Sequence, residues 1–393
     1  MVVDLGAPGF WQDPHPVWRA ARAAGRTART GSGEVVLLRA DDLDVATSDP
    51  GFGVLGLDAL HRLGITDGPF HDWRALTLAA NDGETHRRLR STVGRSFTPR
   101  RVDALRSAIH EHAARLLDRA AERGELEVVG DYAGTLPLWV ICRFLGLDEG
   151  VDAEIARFLV GTEEGFVDPM TPERRARAEA GIVALYDVVD RLIADRVRAP
   201  REDLVTDLVE ARDAGTLSTD ELRAMIVNIV GGAIGSSRAA IANSVLVLLT
   251  HPDQAREVRD DPGLTRAAID ECLRYHPPFR SGRRKVLQAT ECFGTPLAVG
   301  DTVFLARQAA NRDPERWSDP DRFDVHRPSR RHHSFGYGPH LCLGQALARV
   351  DVEESVSALL GRLDHLELMD PDPVRVPGGI DEGLVRLRVG FHP

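Results

Sequence analysis

Apolar residues recur from Ser218 to Thr250 with no proline to interrupt them, and this stretch limits the possible folds more than any other. Ser218 and Glu221 have capping-box spacing, N-cap and N3, so a helix has a defined start there. His251-Pro252 stops it, because proline clashes with the preceding turn and lacks an N–H. About 32 residues at about 1.5 Å each make a rod of roughly 48 Å, enough to cross a whole domain. Its middle, Ile229 to Ser237, holds Gly231, Gly232 and Gly235, and each costs about 1 kcal/mol relative to alanine in a helix interior. Two readings fit these glycines. One is close packing of another helix. The other is a local distortion where something flat lies against the rod, with hydroxyls facing it.

A second stretch favours the flat object. Phe335-Gly336-Tyr337-Gly338-Pro339-His340-Leu341-Cys342-Leu343-Gly344 sets one cysteine among three glycines and runs directly into a helical pattern. Glycines this dense permit positive φ and close backbone approach. A cysteine just before a helix N-terminus has its thiolate favoured by the dipole and by unpaired amides. A metal-ligating sulfur needs that setting, although a lone cysteine in a turn is more commonly a buried core thiol.

The chain is 393 residues long, and 43% hydrophobic with 28% charged residues describes a globular protein with a sizeable core. A net charge of −11 argues against a nucleic-acid partner. No uninterrupted apolar run reaches the roughly 20 residues of a membrane span; the best candidate, Leu136 to Cys142, ends at Arg143. The N-terminus lacks a basic and then apolar leader, and Cys142, Cys272, Cys292 and Cys342 show no paired spacing. These features predict a cytoplasmic chain with no membrane association.

Along the chain, residues 16–21 read as a helix and 33–38 as a strand, within a β-rich part at roughly 26–60. Residues 51–80 read as a long loop, of the kind devoted to binding or gating. A helical core spans roughly 84–280, with Leu105, Ile109, Ala113 and Leu117 on one face. Glu271 and Arg274, three apart on a helix ending at Pro277, can pair. Strands follow at 284–306, an irregular segment rich in Asp, Arg and Pro at 311–331, and hairpin-like strands from Leu366 to Phe391 around Gly378-Gly379 and Gly383. No linker or repeat divides residues 1–393, so a single, mainly α domain with small β-sheets is expected.

Taken together the motifs resemble the cytochrome P450 haem-thiolate monooxygenases. The cysteine stretch matches Phe-Gly-x-Gly-x-His-x-Cys-x-Gly, and Glu271-x-x-Arg274 matches that family's Glu-x-x-Arg. Asn311-Arg312-Asp313-Pro314 and Pro320-Asp321-Arg322-Phe323-Asp324 match its meander, while His86-x-x-x-Arg90 and Ser96-Phe97-Thr98-Pro99 match its early helix. Five ordered motifs cover nearly the whole chain, in the style of the soluble, ferredoxin-dependent bacterial branch. The resemblance implies the family's fold, a triangular helical domain with a long central helix over haem.

By that resemblance Cys342 is the axial ligand of haem b (iron protoporphyrin IX), with O2 as co-substrate. His86, Arg90, Arg284 and His340 would partner the propionates, Arg284 being preferred to Arg283 by counting back from Gly300. Phe335, Gly336 and Gly344 would shape the ligand loop, and Gly232 would lie against the macrocycle. Glu271 and Arg274, with Arg327 or Arg322, form a structural ion-pair network. Ile229, Ala233, Phe279 and Leu384 would line a substrate pocket. The chain departs from the family on the long helix, where Gly235 stands in place of the usual acid and Ser236, followed by Ser237, in place of threonine. A hydroxyl remains as donor, but the carboxylate that relays protons is missing.

The reading that follows is a monomeric monooxygenase, hydroxylating a small to medium apolar substrate in bacterial specialised metabolism. NAD(P)H would supply electrons through ferredoxin reductase and ferredoxin. Arg87, Arg88, Arg95, Arg100 and Arg101 form a basic cluster that would steer an acidic ferredoxin, or else a solvated helix face. Gly235 motivates an alternative, an oxidase or peroxygenase performing coupling, cyclisation or desaturation. A haem-binding module without turnover is a third.

Overall fold

The run from Val35 to Leu38 has no polar residue to alternate with its apolar ones, and such a strand needs cover on both faces. The computed structural model, which describes residues 1–148, 150–370, 372–376 and 383–392, supplies that cover. Its strands are β1 (Val2–Val3), β2 (Thr27–Thr30), β3 (Val35–Leu37), β4 (Phe52–Gly53), β5 (Glu125–Glu127), β6 (Gly282–Val286), β7 (Thr302–Leu305), β8 (Leu366–Leu368) and β9 (Arg388–Phe391). One sheet has the order β1-β2-β3-β7-β6-β4 and a smaller one the order β5-β9-β8. Val35 and Leu37 pack with Leu43 and Ala46 of helix Ala40–Ser48. Val36 and Leu38 point the other way and pack with Trp18 and Ala21 of helix His15–Ala24.

The part at roughly 26–60 is therefore not strand throughout. Asp41 and Asp42 sit in the first turn of helix Ala40–Ser48, where the helix dipole favours them. Residues 51–80 are also not a plain loop: they form helices Asp58–His61 and Pro69–Ala75 and the turn Leu78–Ala80. Each is two turns or fewer, too short for a 3.6-residue period to show. The expected hairpin turn at Gly378-Gly379 lies outside the described residues.

The chain divides into two units, one of Met1–Gly53, Arg106–Pro137 and Gly235–Pro393, the other of Val54–Leu105 and Leu138–Ile234. In the first, helix Arg106–Arg123 buries Ile109, Ala113, Leu117 and Ala120 against helix Gln345–Leu360. Ile241, Val245 and Leu248 complete that core, and so does Leu384. In the second, helices Val151–Glu163 and Pro172–Arg198 cross at two glycines. A Cβ at Gly161 would stand 2.8 Å from the Arg177 carbonyl, and one at Gly181 2.8 Å from the Phe158 carbonyl.

The rod is helix Thr219–Leu249, 31 residues without a break. Its capping box is made as expected: Ser218 N–H donates to Glu221 Oε2 at 2.9 Å and Glu221 N–H to Ser218 Oγ at 3.1 Å. The local distortion expected at its glycines does not occur. It and Val128–Leu145 have the length and mean hydropathy, 1.4 and 1.2, of membrane spans, but 67% and 61% of the two windows are buried in protein, as in core helices.

Glu271 and Arg274 are 4% and 1% exposed and pair two-pronged, Nε to Oε2 at 2.7 Å and Nη2 to Oε1 at 2.8 Å. Arg327 Nε joins Glu271 Oε1 at 3.1 Å. Arg274 Nη1 also donates to the carbonyls of Asn311 at 2.9 Å and Pro320 at 2.8 Å. In the irregular segment 311–327 these carbonyls are satisfied by arginine side chains and not by a helix or strand ladder. Arg274→Ala leaves the Glu271 charge buried with one partner fewer, which costs roughly 3–5 kcal/mol. Denaturant unfolding measures this, and a loss of about 1 kcal/mol or less, the worth of a surface pair, contradicts it.

Candidate cofactor and active site

Two glycines set the path of the cysteine loop. Gly336 and Gly338 have φ of +72° and +70°, in the left-handed region where other residues are strained. A Cβ at Gly338 would also collide with the Thr47 carbonyl at the end of helix Ala40–Ser48. The loop closes when Cys342 N–H donates to the Phe335 carbonyl at 2.9 Å, and Gly344 then caps helix Gln345–Leu360. The loop's base is fixed from behind by Asn311, which is fully buried. Its Oδ1 accepts from His333 N–H at 2.7 Å, its Nδ2 donates to Ser334 Oγ at 3.1 Å, and Ser334 Oγ donates to the Leu273 carbonyl at 2.6 Å. Phe335 packs against the core with the Arg349 guanidinium 4.4 Å above its ring, and Arg349 is held by Asp270 at 2.9 Å.

Cys142 and Cys272 are buried, and Cys292 and Cys342 are half-buried. Burial pushes the Cys142 thiol up to about 12 and Cys272 higher still, so both stay protonated. Cys342 is half-buried and within electrostatic reach of the Arg307 guanidinium. Among the described residues no three His, Cys, Asp or Glu side chains gather to hold a metal. A metal on Cys342 must therefore bring most of its ligands with it, as the iron of a porphyrin does.

Strand register separates the two candidate arginines. Arg283 sits opposite Phe304, its guanidinium 5.1 Å from that ring and 2.9 Å from Glu34. Arg284 sits opposite Val303 and is felt electrostatically by Arg307. Arg307, which opens the short helix Arg307–Ala310, is a residue that sequence reasoning missed. Its guanidinium packs against Gly282 and lies 5.9 Å from the Phe279 ring, and among the described residues it meets no carboxylate. Burial first, then the Arg284 charge, bring its pKa down to about 10, while the Cys342 sulfur raises it. No signal in the sequence marks it, because the four-residue helix that it opens is too short to show a period. A half-buried cation that meets no carboxylate among the described residues, within electrostatic reach of a candidate thiolate, fits a haem, whose iron needs the sulfur and whose propionates need cations.

The remaining expected residues are placed as follows. His86 is buried and Arg90 half-buried, four apart on one face of helix Gly83–Gly94. His340 is half-buried, in the turn that precedes Cys342. On the rod, Gly232 is exposed and Gly235 and Ser236 half-buried, and among the described residues no atom outside the adjoining helix backbone lies within 4 Å of a Cβ built at either glycine. Open space, not helix packing, accounts for them. Ser237 is buried, about 100° around the helix from Ser236. Ile229 is buried, Ala233 and Phe279 half-buried, and Leu384 belongs to the core. In the basic cluster, Arg88 is engaged by Glu221 and Arg101 by Asp207, which leaves Arg87, Arg95 and Arg100 exposed.

Comparison with known proteins agrees with this geometry. A family model described as Cytochrome P450 matches residues 164–385. The 6-deoxyerythronolide B hydroxylase of Saccharopolyspora erythraea is 38% identical over 322 residues, 80% of this chain and 78% of that protein. The cytochrome P450 monooxygenase PikC of Streptomyces venezuelae is 34% identical across 100% of this chain and 94% of its own. The crystal structure of CalO2 superposes with a TM-score of 0.94 at 29% identity, covering 100% of this chain and 99% of that one. Arg307→Gln is expected to speed haem loss to a scavenger by about tenfold, the worth of one charge-assisted hydrogen bond. An unchanged loss rate and reduction potential would remove Arg307 from the site.

Proposed function

The chain belongs to the cytochrome P450 family and is a monooxygenase, and on that premise we propose that it hydroxylates a small to medium, largely apolar molecule in bacterial specialised metabolism. The observation that carries this reading is Cys342, half-buried at the head of helix Gln345–Leu360 beside a cation without a carboxylate partner. Haem b held there would supply reductive activation of O2: one oxygen atom enters a C–H bond, the other leaves as water, and two electrons and two protons are consumed. Cys342 would hold the iron as an anionic sulfur, which the Arg307 charge would favour. Arg284, Arg307 and His340 would receive propionates through charge-assisted hydrogen bonds, the role that the resemblance also gives His86 and Arg90. Phe335, clamped under Arg349, keeps water from the sulfur.

Ser236 Oγ would donate a hydrogen bond toward O2 and pass protons on from water, because Gly235 brings no carboxylate. Ile229, Ala233 and Phe279 contact the substrate. Electrons arrive from NAD(P)H through ferredoxin reductase and ferredoxin, an acidic protein that the exposed Arg87, Arg95 and Arg100 would steer. The chain works in this reading as a cytoplasmic monomer. Gly235 also favours a second reading, in which the oxidation ends in coupling, ring closure or desaturation, or is driven by hydrogen peroxide.

Turnover with ferredoxin, its reductase and NAD(P)H under isotopically labelled O2 separates the two. Hydroxylation puts one labelled atom into the product. A product lacking two hydrogens and carrying no label, or full turnover on hydrogen peroxide alone, selects the second. Gly235→Asp enters open space and should raise the fraction of NADPH consumption that ends in product. Unchanged coupling means that protons reach O2 by a path that avoids position 235.

A further inference from the structure

Arg74 is a cation that the protein leaves without an anion. The chain has 60 Asp and Glu against 49 Lys and Arg, so carboxylates are in surplus. In the unit that contains Arg74 many arginines use them: Arg88 pairs with Glu221, Arg101 with Asp207, Arg177 with Glu164, Arg191 with Glu154 and Arg223 with Asp190. Arg74 does not. Among the described residues its guanidinium is met by the face of Phe166, 5.7 Å away, and by no carboxylate, carbonyl or hydroxyl. Burial alone pulls its pKa down to about 10, with no charge of either sign acting on it, and it remains a cation at neutral pH. Taking a guanidinium out of water without a counter-charge is unfavourable, so a group that sits this way is poised for a ligand.

The ground around Arg74 is built rather than loose. Arg74 lies in helix Pro69–Ala75, where Phe70 and Trp73 are buried with ring centroids 5.3 Å apart. Phe166 packs edge-on to both, at 5.1 and 6.3 Å, while remaining 50% exposed. Trp73 Nε1–H donates to the Ala224 carbonyl at 3.3 Å, which fastens this helix to the rod. Seven residues along the rod from Ala224, about 10 Å, come the exposed Gly231 and Gly232. One fixed surface thus presents a half-exposed aromatic ring, a partly buried cation and, one short molecule's length away, a bare stretch of the rod.

Resting on the monooxygenase reading, we propose that Arg74 binds a carboxylate of the substrate, which is therefore an amphiphilic organic acid with an apolar body. The Phe166 ring takes the apolar part next to the carboxylate, and the guanidinium offers it paired N–H donors. Esters and amides of the same acid lose the charge and half of the geometry.

Two measurements on the haem-loaded protein test this, and neither needs turnover, so failure here is distinct from failure of the monooxygenase reading. In the first, ligand-free wild type is compared with Arg74→Met by thermal unfolding. A cation kept for a ligand costs stability, so Arg74→Met should melt higher; a lower melting temperature makes Arg74 a structural partner of Phe166 and overturns the proposal. In the second, calorimetry compares amphiphilic carboxylates of linear, alicyclic and aromatic build, lauric acid among them, with their methyl esters. The best acid should bind wild type at least about tenfold tighter than its ester. Arg74→Gln should erase that preference and Arg74→Lys restore part of it. No acid binding better than its ester, or a preference that survives in Arg74→Gln, overturns the assignment.

Discussion

A carboxylate shared by two guanidinium groups holds this protein's candidate active site in place. Glu271 is buried between Arg274 and Arg327, and Arg274 spends its remaining donors on the carbonyls of Asn311, Pro320 and Arg322. Asn311 in turn fixes His333 and Ser334, the two residues from which the cysteine loop departs. The position of Cys342 is thus set through a chain of buried polar contacts. Such a network is high in risk, since each member is costly if its partner is lost. Its benefit is a loop that keeps one shape while carrying two glycines at positive φ.

Glycine has opposite meanings in different helices of this chain. At Gly161 and Gly181 two backbones approach so closely that a methyl group has no room. At Gly232 and Gly235 the same substitution would meet nothing within 4 Å among the described residues beyond the adjoining helix backbone. The rod accepts the weak helix propensity of these glycines because its capped start and its buried halves keep it helical throughout. What is left bare in its middle is the wall on which Ser236 acts in the proposed reaction.

The parts of the molecule legible from sequence were those with long periods or rigid local rules. The capping box at Ser218, the stop at Pro252 and the Ile109–Ala113–Leu117 face could all be read directly. So could the Glu271–Arg274 pair, because i and i+3 share a helix face. Helices Ala40–Ser48 and Pro69–Ala75 could not, since neither is long enough to show a period against a background of Asp, Gly and Pro. Leu384, read from sequence as a pocket residue, is buried in the core cluster of the folded chain. Arg307 and Arg74 were illegible for a deeper reason. What distinguishes each is the lack of a carboxylate neighbour among the described residues, and only the folded chain says which neighbours a residue lacks.

The account rests on Cys342 as the thiolate that holds haem iron, and one spectrum tests it most directly. The reduced carbon monoxide complex of the wild-type protein should show the red-shifted Soret band of thiolate ligation. Cys342→His should keep haem and lose that band, while Cys142→Ala and Cys272→Ala should retain it. A red-shifted band that persists in Cys342→His would contradict the account at its centre.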